Sequence, residues 1–186
     1  MASSVTPDIA GLRALSHPVR LRMLSLLRGE GAATATTLAQ RLGLNTGATS
    51  YHLRQLAQHG FITEDTERGN ARDRWWCATH DSTRTDFQQQ RQSDEDVEAY
   101  LATVALVYGD RLRSAVAEMR FLPDEWRTVG TLSDWERSLT PADAEALVER
   151  LIAIIEETPD SQAKGAAPFM VNLNAFLRPG ALGAGE

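Results

Sequence analysis

Between positions 46 and 58 the chain presents Thr46, Gly47, Ser50, Tyr51 and Arg54, separated by one, three, one and three residues. At about 100° per residue this spacing places them on one side of a helix. The chemistry they offer is directional hydrogen bonding: hydroxyls that donate or accept, and a guanidinium fork that matches paired acceptors such as guanine O6 and N7. Gln58 shares the side but lies at the far end of the helix. A plain solvated helix more often shows Glu and Lys four apart, and this face has no acidic residue. The residue types therefore favour contact with DNA over a bare surface.

Other chemistry finds little support. The lone cysteine, Cys77, excludes an internal disulfide framework or a metal site built from several thiolates, and is read as a small hydrophobe in a strand. His52 and His59 are seven apart with no cysteine or carboxylate to complete a ligand set, so both read as structural histidines. Acidic runs at 94–96 and 156–157 fall at helix ends, where they read as solvated charge or partners of the helix dipole rather than acid/base pairs. No glycine-rich phosphate loop, HExxH or nucleophile elbow occurs. The expectation is a protein without metal, cofactor or catalysis.

The elements that must position the polar face are legible around it. From Leu38 to Leu56 the chain reads as two helices broken at Gly43, because glycine accepts the left-handed conformation that ends a helix. Asn45 or Thr46 caps the second helix. Thr49, Leu53 and Leu56 form its buried side, with His52 at the margin. Upstream, a short helix is expected over 7–15, then one capped by Ser16 with Pro18 in its first turn and an apolar stripe of Leu15, Val19, Met23, Leu26 and Leu27, ended by Gly29 and Gly31. Thr34 or Thr36 opens the helix that holds Leu38. Residues 1–6 read as a frayed end.

Downstream, Gly60 closes the polar-faced helix. Alternating strands over 61–66 and 74–79 flank a turn-rich loop, making a hairpin that serves as a wing. Arg68 and Arg72 sit at its tip and Arg74 starts the return strand. Such arginines suit phosphates or a narrow minor groove; the alternative is a solvated loop in which Glu67 and Asp73 neutralise two of them. Trp75 and Trp76, adjacent in a strand, face opposite sides.

Charge divides the chain. Residues 1–80 carry nine Arg against six acidic residues, and the remainder carries ten basic against nineteen acidic, within an overall charge of -6. The first part is suited to an acidic partner and the second to solubility. With 42% hydrophobic residues over 186, the chain is long enough for one domain or two small ones. Its most apolar run, 101–108, is too short to span a bilayer and no leader precedes the first helix, so a cytoplasmic protein is expected.

Domain boundaries are expected at residue 80: a winged unit over 1–80, then a dimerisation and effector-binding region over 81–186 that opens with a polar linker at 81–92. A long helix over about 93–121, capped by Ser93, repeats Val97, Leu101, Val104, Tyr108, Leu112, Ala115 and Met119 at spacings of three and four. This near-heptad stripe is read as the seam with a second subunit, packing within its own chain being the alternative. Gly109 inside it implies a kink or a close crossing. A strand–helix–strand comes next, over about 129–176: a strand near 131–135, a helix from Thr140-Pro141 to about 157, and a strand at 169–176 that could pair across a dimer or against the wing. Trp126, Trp135, Phe169 and Phe176 read as its core rather than as an effector pocket.

The segments 15–27 (LSHPVRLRMLSLL), 49–56 (TSYHLRQL) and 60–62 (GFI) resemble winged-helix regulators of the arsenic-repressor (ArsR) type over roughly residues 8–80. The wing sequence RGNARDRWW and the acidic extension are similar to a branch of that family without a metal site; cysteines expected in the helix before recognition are missing from 37–42. The resemblance implies a mainly α fold with a small β component. It also implies a recognition helix in the major groove through Thr46, Gly47, Ser50, Tyr51 and Arg54, and a wing touching the backbone through Arg68 and Arg72. Together these readings give a homodimeric DNA-binding repressor on a near-palindromic operator, released by a small-molecule effector. The rivals are a winged helix used for protein–protein assembly without DNA, and an enzymatic role for the C-terminal part.

Overall fold

The computed structural model describes residues 3–68, 74–85 and 94–182. The chain divides into two compact units, 2–128 and 129–186. The boundary thus falls well after residue 80, because the long helix packs with the N-terminal elements.

The first unit runs β1 (Ser4–Val5), α1 (Ile9–Leu15), α2 (Pro18–Glu30), β2 (Ala33–Thr34), α3 (Ala35–Leu42), α4 (Thr46–Gln58), β3 (Ile62–Glu64), β4 (Trp75–Ala78), β5 (Ser82–Thr83) and α5 (Asp94–Glu118), then a 3-10 turn (Met119–Phe121) and α6 (Asp124–Arg127). It is mainly α with small sheets. Local chemistry explains most boundaries. Asp8 accepts the Gly11 N–H at 2.7 Å and starts α1. The cap of α2 is His17, whose Nδ1 accepts the Val19 N–H at 3.2 Å. Ser16, expected in that role, instead donates its hydroxyl to the Leu12 carbonyl and closes α1. Thr34 caps α3, Gly43 ends it in the left-handed region at φ 66°, and the Asn45 side chain accepts the Ala48 N–H at 2.8 Å to start α4.

β3 and β4 pair antiparallel with Thr63 opposite Cys77, and β2 joins the outer side of β4 with Ala33 opposite Trp76. The hairpin is therefore anchored by a third strand that the sequence pattern did not reveal. Residues 4–5, expected to fray, pair in parallel with residues 82–83, which were expected to lie in a linker. Arg28 holds that second ribbon from α2, donating to the carbonyls of His80 (2.7 Å) and Ser82 (3.1 Å) and to the Thr83 hydroxyl. The Ser93 cap lies outside the described residues.

Leu12, Leu15, Met23, Leu24, Leu27, Leu38, Leu53, Leu56, Phe61 and Trp76 form one core. Each large apolar side chain removed from water stabilises the unit by about 1.5–3 kcal/mol. α2 is buried over a wider sector than its expected stripe, through Leu21 and Leu24 as well as Met23 and Leu27, while Val19 and Leu26 are half-buried. Its other side receives α5, which buries Tyr100, Thr103 and Val107. Val97, Leu101 and Val104 also pack on this core, so the first half of the expected seam is partly taken by the chain itself. Tyr108 is half-buried beneath the Arg111 guanidinium, whereas Leu112 and Met119 are exposed. Ion pairs Arg13–Asp96 and Arg22–Asp110 and a bond from Arg111 to Ser25 fasten the same helix. α5 is continuous through Gly109.

In the second unit, α7 (Pro141–Glu157) starts where expected, with Thr140 accepting the Asp143 N–H. The strands expected on either side are absent among the described residues. Two short segments alone would make only a marginal sheet. Trp135, Phe169 and Phe176, expected as core, are exposed; Trp126, which belongs to the first unit, is half-buried.

Candidate nucleic-acid interface

α4 holds the polar face by burying its opposite side: Thr49, Leu53 and Leu56 are buried, and the Thr49 hydroxyl donates to the Asn45 carbonyl at 3.0 Å. Thr46, Gly47, Tyr51 and Arg54 are exposed and Ser50 is half-buried. Tyr51 is 52% exposed and meets the His52 ring edge-on, with centroids 5.5 Å apart. One side of its ring is therefore steadied while about half of the residue stays exposed.

A cleft of about 270 Å³ opens beside this face, lined by Thr34, Thr36, Thr46, Ser50, Arg54 and Arg74, with Trp76 and Ala35 as its apolar part. It brings together four of the residues singled out from sequence, Thr46, Ser50, Arg54 and Arg74, and adds Thr34 and Thr36. The latter two are placed there because β2 pairs with β4 and delivers the start of α3 beside the wing. The Thr34-Ala35-Thr36 run marked a helix start in the sequence, but nothing in the spacing showed that it faces the wing. Hydroxyls and guanidiniums around a half-open cleft are suited to an anionic oxygen ligand.

The arginines differ in how far they are committed elsewhere. Arg74 Nε lies 3.3 Å from Glu64 Oε2, and its guanidinium carbon is 5.9 Å from the centroid of the Trp76 ring. Arg68 is paired with Asp65 at 3.4 Å, and its N–H donates to the same carboxylate. The acids that temper the wing are thus Glu64 and Asp65, rather than Glu67; Asp73 and Arg72 lie outside the described residues. Arg13, Arg22 and Arg41 pair with Asp96, Asp110 and Glu30. Arg20 and Arg28 donate to backbone carbonyls, and burial lowers the pKa of both. Arg54 makes no ion pair or hydrogen bond to any described residue. The net positive charge counted over 1–80 consequently overstates what a ligand meets, and among the described arginines of that stretch Arg54 is the one left most available.

His17 and His52 stand behind the face. Burial is the main cause that lowers the pKa of each, and the nearby Arg20 charge adds to it. Among the described residues no cluster of three or more His, Cys, Asp or Glu could hold a metal ion, and no helix is long and apolar enough to cross a membrane.

A family profile described as "Helix-turn-helix domain" matches residues 15–65, from the end of α1 through α4 to the start of the wing. The HTH-type transcriptional regulator YgaV of Escherichia coli (strain K12) is 37% identical over 68 residues, a stretch covering 37% of this chain and 67% of that protein. Among solved structures, Lactococcus lactis ZitR, as a C30AH42A mutant in apo form, aligns at 17% identity and a TM-score of 0.35, covering 76% of this chain and 83% of that one. Disulfide-formed AbfR aligns at 17% identity and a TM-score of 0.28, covering 57% of this chain and 66% of that one.

Proposed function

The chain belongs to the helix-turn-helix transcriptional regulators, and within them we propose an ArsR-like winged-helix repressor that binds its operator as a homodimer in the cytoplasm. α4 enters the major groove. Thr46, Gly47, Ser50, Tyr51 and Arg54 face the bases, and Arg68, Arg72 and Arg74 on the wing reach backbone or minor groove. Each subunit reads one half-site, the two spaced by about one DNA turn. The second α5 lies along Leu112 and Met119, with Val97, Leu101, Val104 and Tyr108 at the inner margin of that contact. A small-molecule effector changes the spacing of the two recognition helices and lowers operator affinity. The reading assigns the protein no reaction, metal or cofactor.

The observation that carries this reading is the acid-free exposed face of α4, capped at Asn45, with Arg54 uncommitted beside the wing. Fluorescence anisotropy against the protein's own upstream sequence tests it. Arg54→Ala should lose about 1–3 kcal/mol of binding and relax preference at one base position, while Arg68→Ala should weaken all sequences alike and flatten the salt dependence. Binding that is indifferent to both changes would leave the protein-assembly role instead.

A further inference from the structure

The cleft beside α4 has two walls of different origin. α4 supplies Thr46, Ser50 and Arg54, and the other wall comes from Thr34, Ala35 and Thr36 at the start of α3 together with Arg74 and Trp76 of the wing. The β2–β4 register sets Thr34 opposite Trp75, so the first residues of α3 run on beside Arg74. Core packing does not account for Thr36, which is exposed.

The hydroxyls of this region differ in their commitments. Thr36, Thr46 and Ser50 make no side-chain hydrogen bond to any described residue, and neither does Arg54. By contrast, Thr49 donates to the Asn45 carbonyl at 3.0 Å, and the hydroxyls of Thr34 and Thr37 bond each other at 3.0 Å while Thr34 accepts the Thr37 N–H at 3.2 Å. Thr34 therefore fixes the turn, and Thr36 is the hydroxyl on that wall still able to serve a ligand. No carboxylate is among the described residues that line the cleft; Glu64, which pairs with Arg74 at 3.3 Å, is not part of the lining. A guanidinium only donates and a hydroxyl can donate, so the arrangement matches a negatively charged ligand whose polar atoms are all acceptors. A phosphate is such a ligand, whereas base edges mix donors with acceptors.

We propose that the Thr36 hydroxyl and the Arg74 guanidinium hold one backbone phosphate of the operator in this cleft, and that this phosphate sets how α4 sits in the major groove. The inference rests on the DNA-binding reading and adds the start of α3 to it, with Thr36 as a direct phosphate ligand and Thr34 as the residue that positions it. It also assigns Arg74 to the backbone beside the major groove instead of to the minor groove. Contacts to phosphate fix register without reading sequence, so Tyr51 and Arg54 keep the base-reading role.

Fluorescence anisotropy with the full chain, its own upstream duplex and a scrambled duplex, over a series of salt concentrations, is the test. Thr36→Val keeps the side-chain shape and removes the hydroxyl. It should weaken binding to both duplexes about 10-fold and leave their ratio unchanged, as loss of a hydrogen bond to a charged group requires. Thr36→Glu puts a carboxylate in the first turn of α3, which the helix dipole favours; it should fold as stably as wild type and bind both duplexes more weakly still. Duplexes carrying single uncharged methylphosphonate links should reveal a position in each half-site that weakens wild type but neither Thr36→Glu nor Arg74→Ala. Wild-type binding that is salt-dependent and sensitive to Arg54→Ala, yet indifferent to both Thr36 changes, would overturn the phosphate seat and leave the DNA reading standing. A changed ratio in Thr36→Val would overturn it too, by making Thr36 a base contact. So would a Thr36→Glu protein that loses binding of inorganic phosphate but not of duplex, since the cleft would then serve a free oxyanion. A wild-type protein that binds no duplex at any salt would remove both readings.

Discussion

The ring centroids of His17 and His52 lie 4.5 Å apart, the planes tilted by 49°, which joins the cap of α2 directly to α4. His17 Nδ1 accepts the Val19 N–H, so that nitrogen carries no proton, and His52 Nδ1 is buried with no hydrogen-bond partner. Arg20 lies close enough to oppose protonation of both, and Tyr51 packs against His52. Both imidazoles are held below their ordinary range, chiefly by burial. An unfolded chain therefore takes up protons, from about pH 6.5 downwards, that the folded chain refuses. Stability contributed by the pair is intact above that pH and declines as the pH falls through it. Urea unfolding at pH 7.5 and 5.5 should show a steeper loss for wild type than for His52→Gln; equal losses would mean that the pair does not titrate as described.

Two glycines should respond oppositely to alanine. A Cβ at Gly11 would lie 3.0 Å from Pro7 Cβ and 3.2 Å from both Asp8 Oδ1 and Phe61 Cζ, where cap, helix and strand entrance converge. At Gly29, within α2, a Cβ meets nothing within 4 Å. Gly11→Ala should thus cost about 1–3 kcal/mol through overpacking, and Gly29→Ala should gain up to about 1 kcal/mol from helix propensity. Denaturant midpoints at constant slope are the readout, and a Gly11→Ala protein as stable as wild type would refute the close approach.

Removing the α4 cap should register in both stability and binding. Asn45→Ala leaves the Ala48 N–H without its side-chain acceptor and should cost about 1 kcal/mol. Asn45→Asp keeps an acceptor and should hold most of the stability. Because Thr46 and Gly47 come directly after the cap, Asn45→Ala should also weaken operator binding more than its stability loss alone would. If Asn45→Asp and Asn45→Ala melt together, the cap is not what fixes this helix start.

The sequence made the helix-turn-helix visible because its signals are local. Gly43, Asn45 and the Thr49, Leu53 and Leu56 spacing each act within a turn or two of themselves, and all appear in the structure as expected. The hidden elements depend on partners distant in the chain. β2 is two residues long and is defined only by its place beside Trp75 and Trp76. The N-terminal residues 4–5 look frayed until residues 82–83 are set against them. In α5 the apolar positions support two neighbouring stripes. The one led by Tyr100, Thr103 and Val107 was chosen by packing on α1 and α2, for which periodicity gives no preference. Arg54 was legible as a residue type, but its availability emerged only after the other described arginines of the first eighty residues found their carboxylates and carbonyls.

The wing offers a test that separates folding from DNA contact. Glu64 and Arg74 form a solvent-exposed pair at 3.3 Å, with Arg74 67% exposed, and such pairs contribute at most about 1 kcal/mol to stability. Glu64→Gln should hardly change the unfolding midpoint. It removes a carboxylate that both repels a phosphate and holds the Arg74 guanidinium, while Trp76 beneath still keeps the side chain near the cleft. The variant should bind duplex DNA severalfold more tightly at low salt, and its plot of log affinity against log salt should steepen by up to about one unit, the signature of one more phosphate neutralised. Arg74→Ala should shift both quantities the other way. Because a base contact would alter sequence preference without changing the salt slope, the same titrations tell the two roles apart. An unchanged slope in Glu64→Gln would place Arg74 off the DNA and leave the cleft to Arg54.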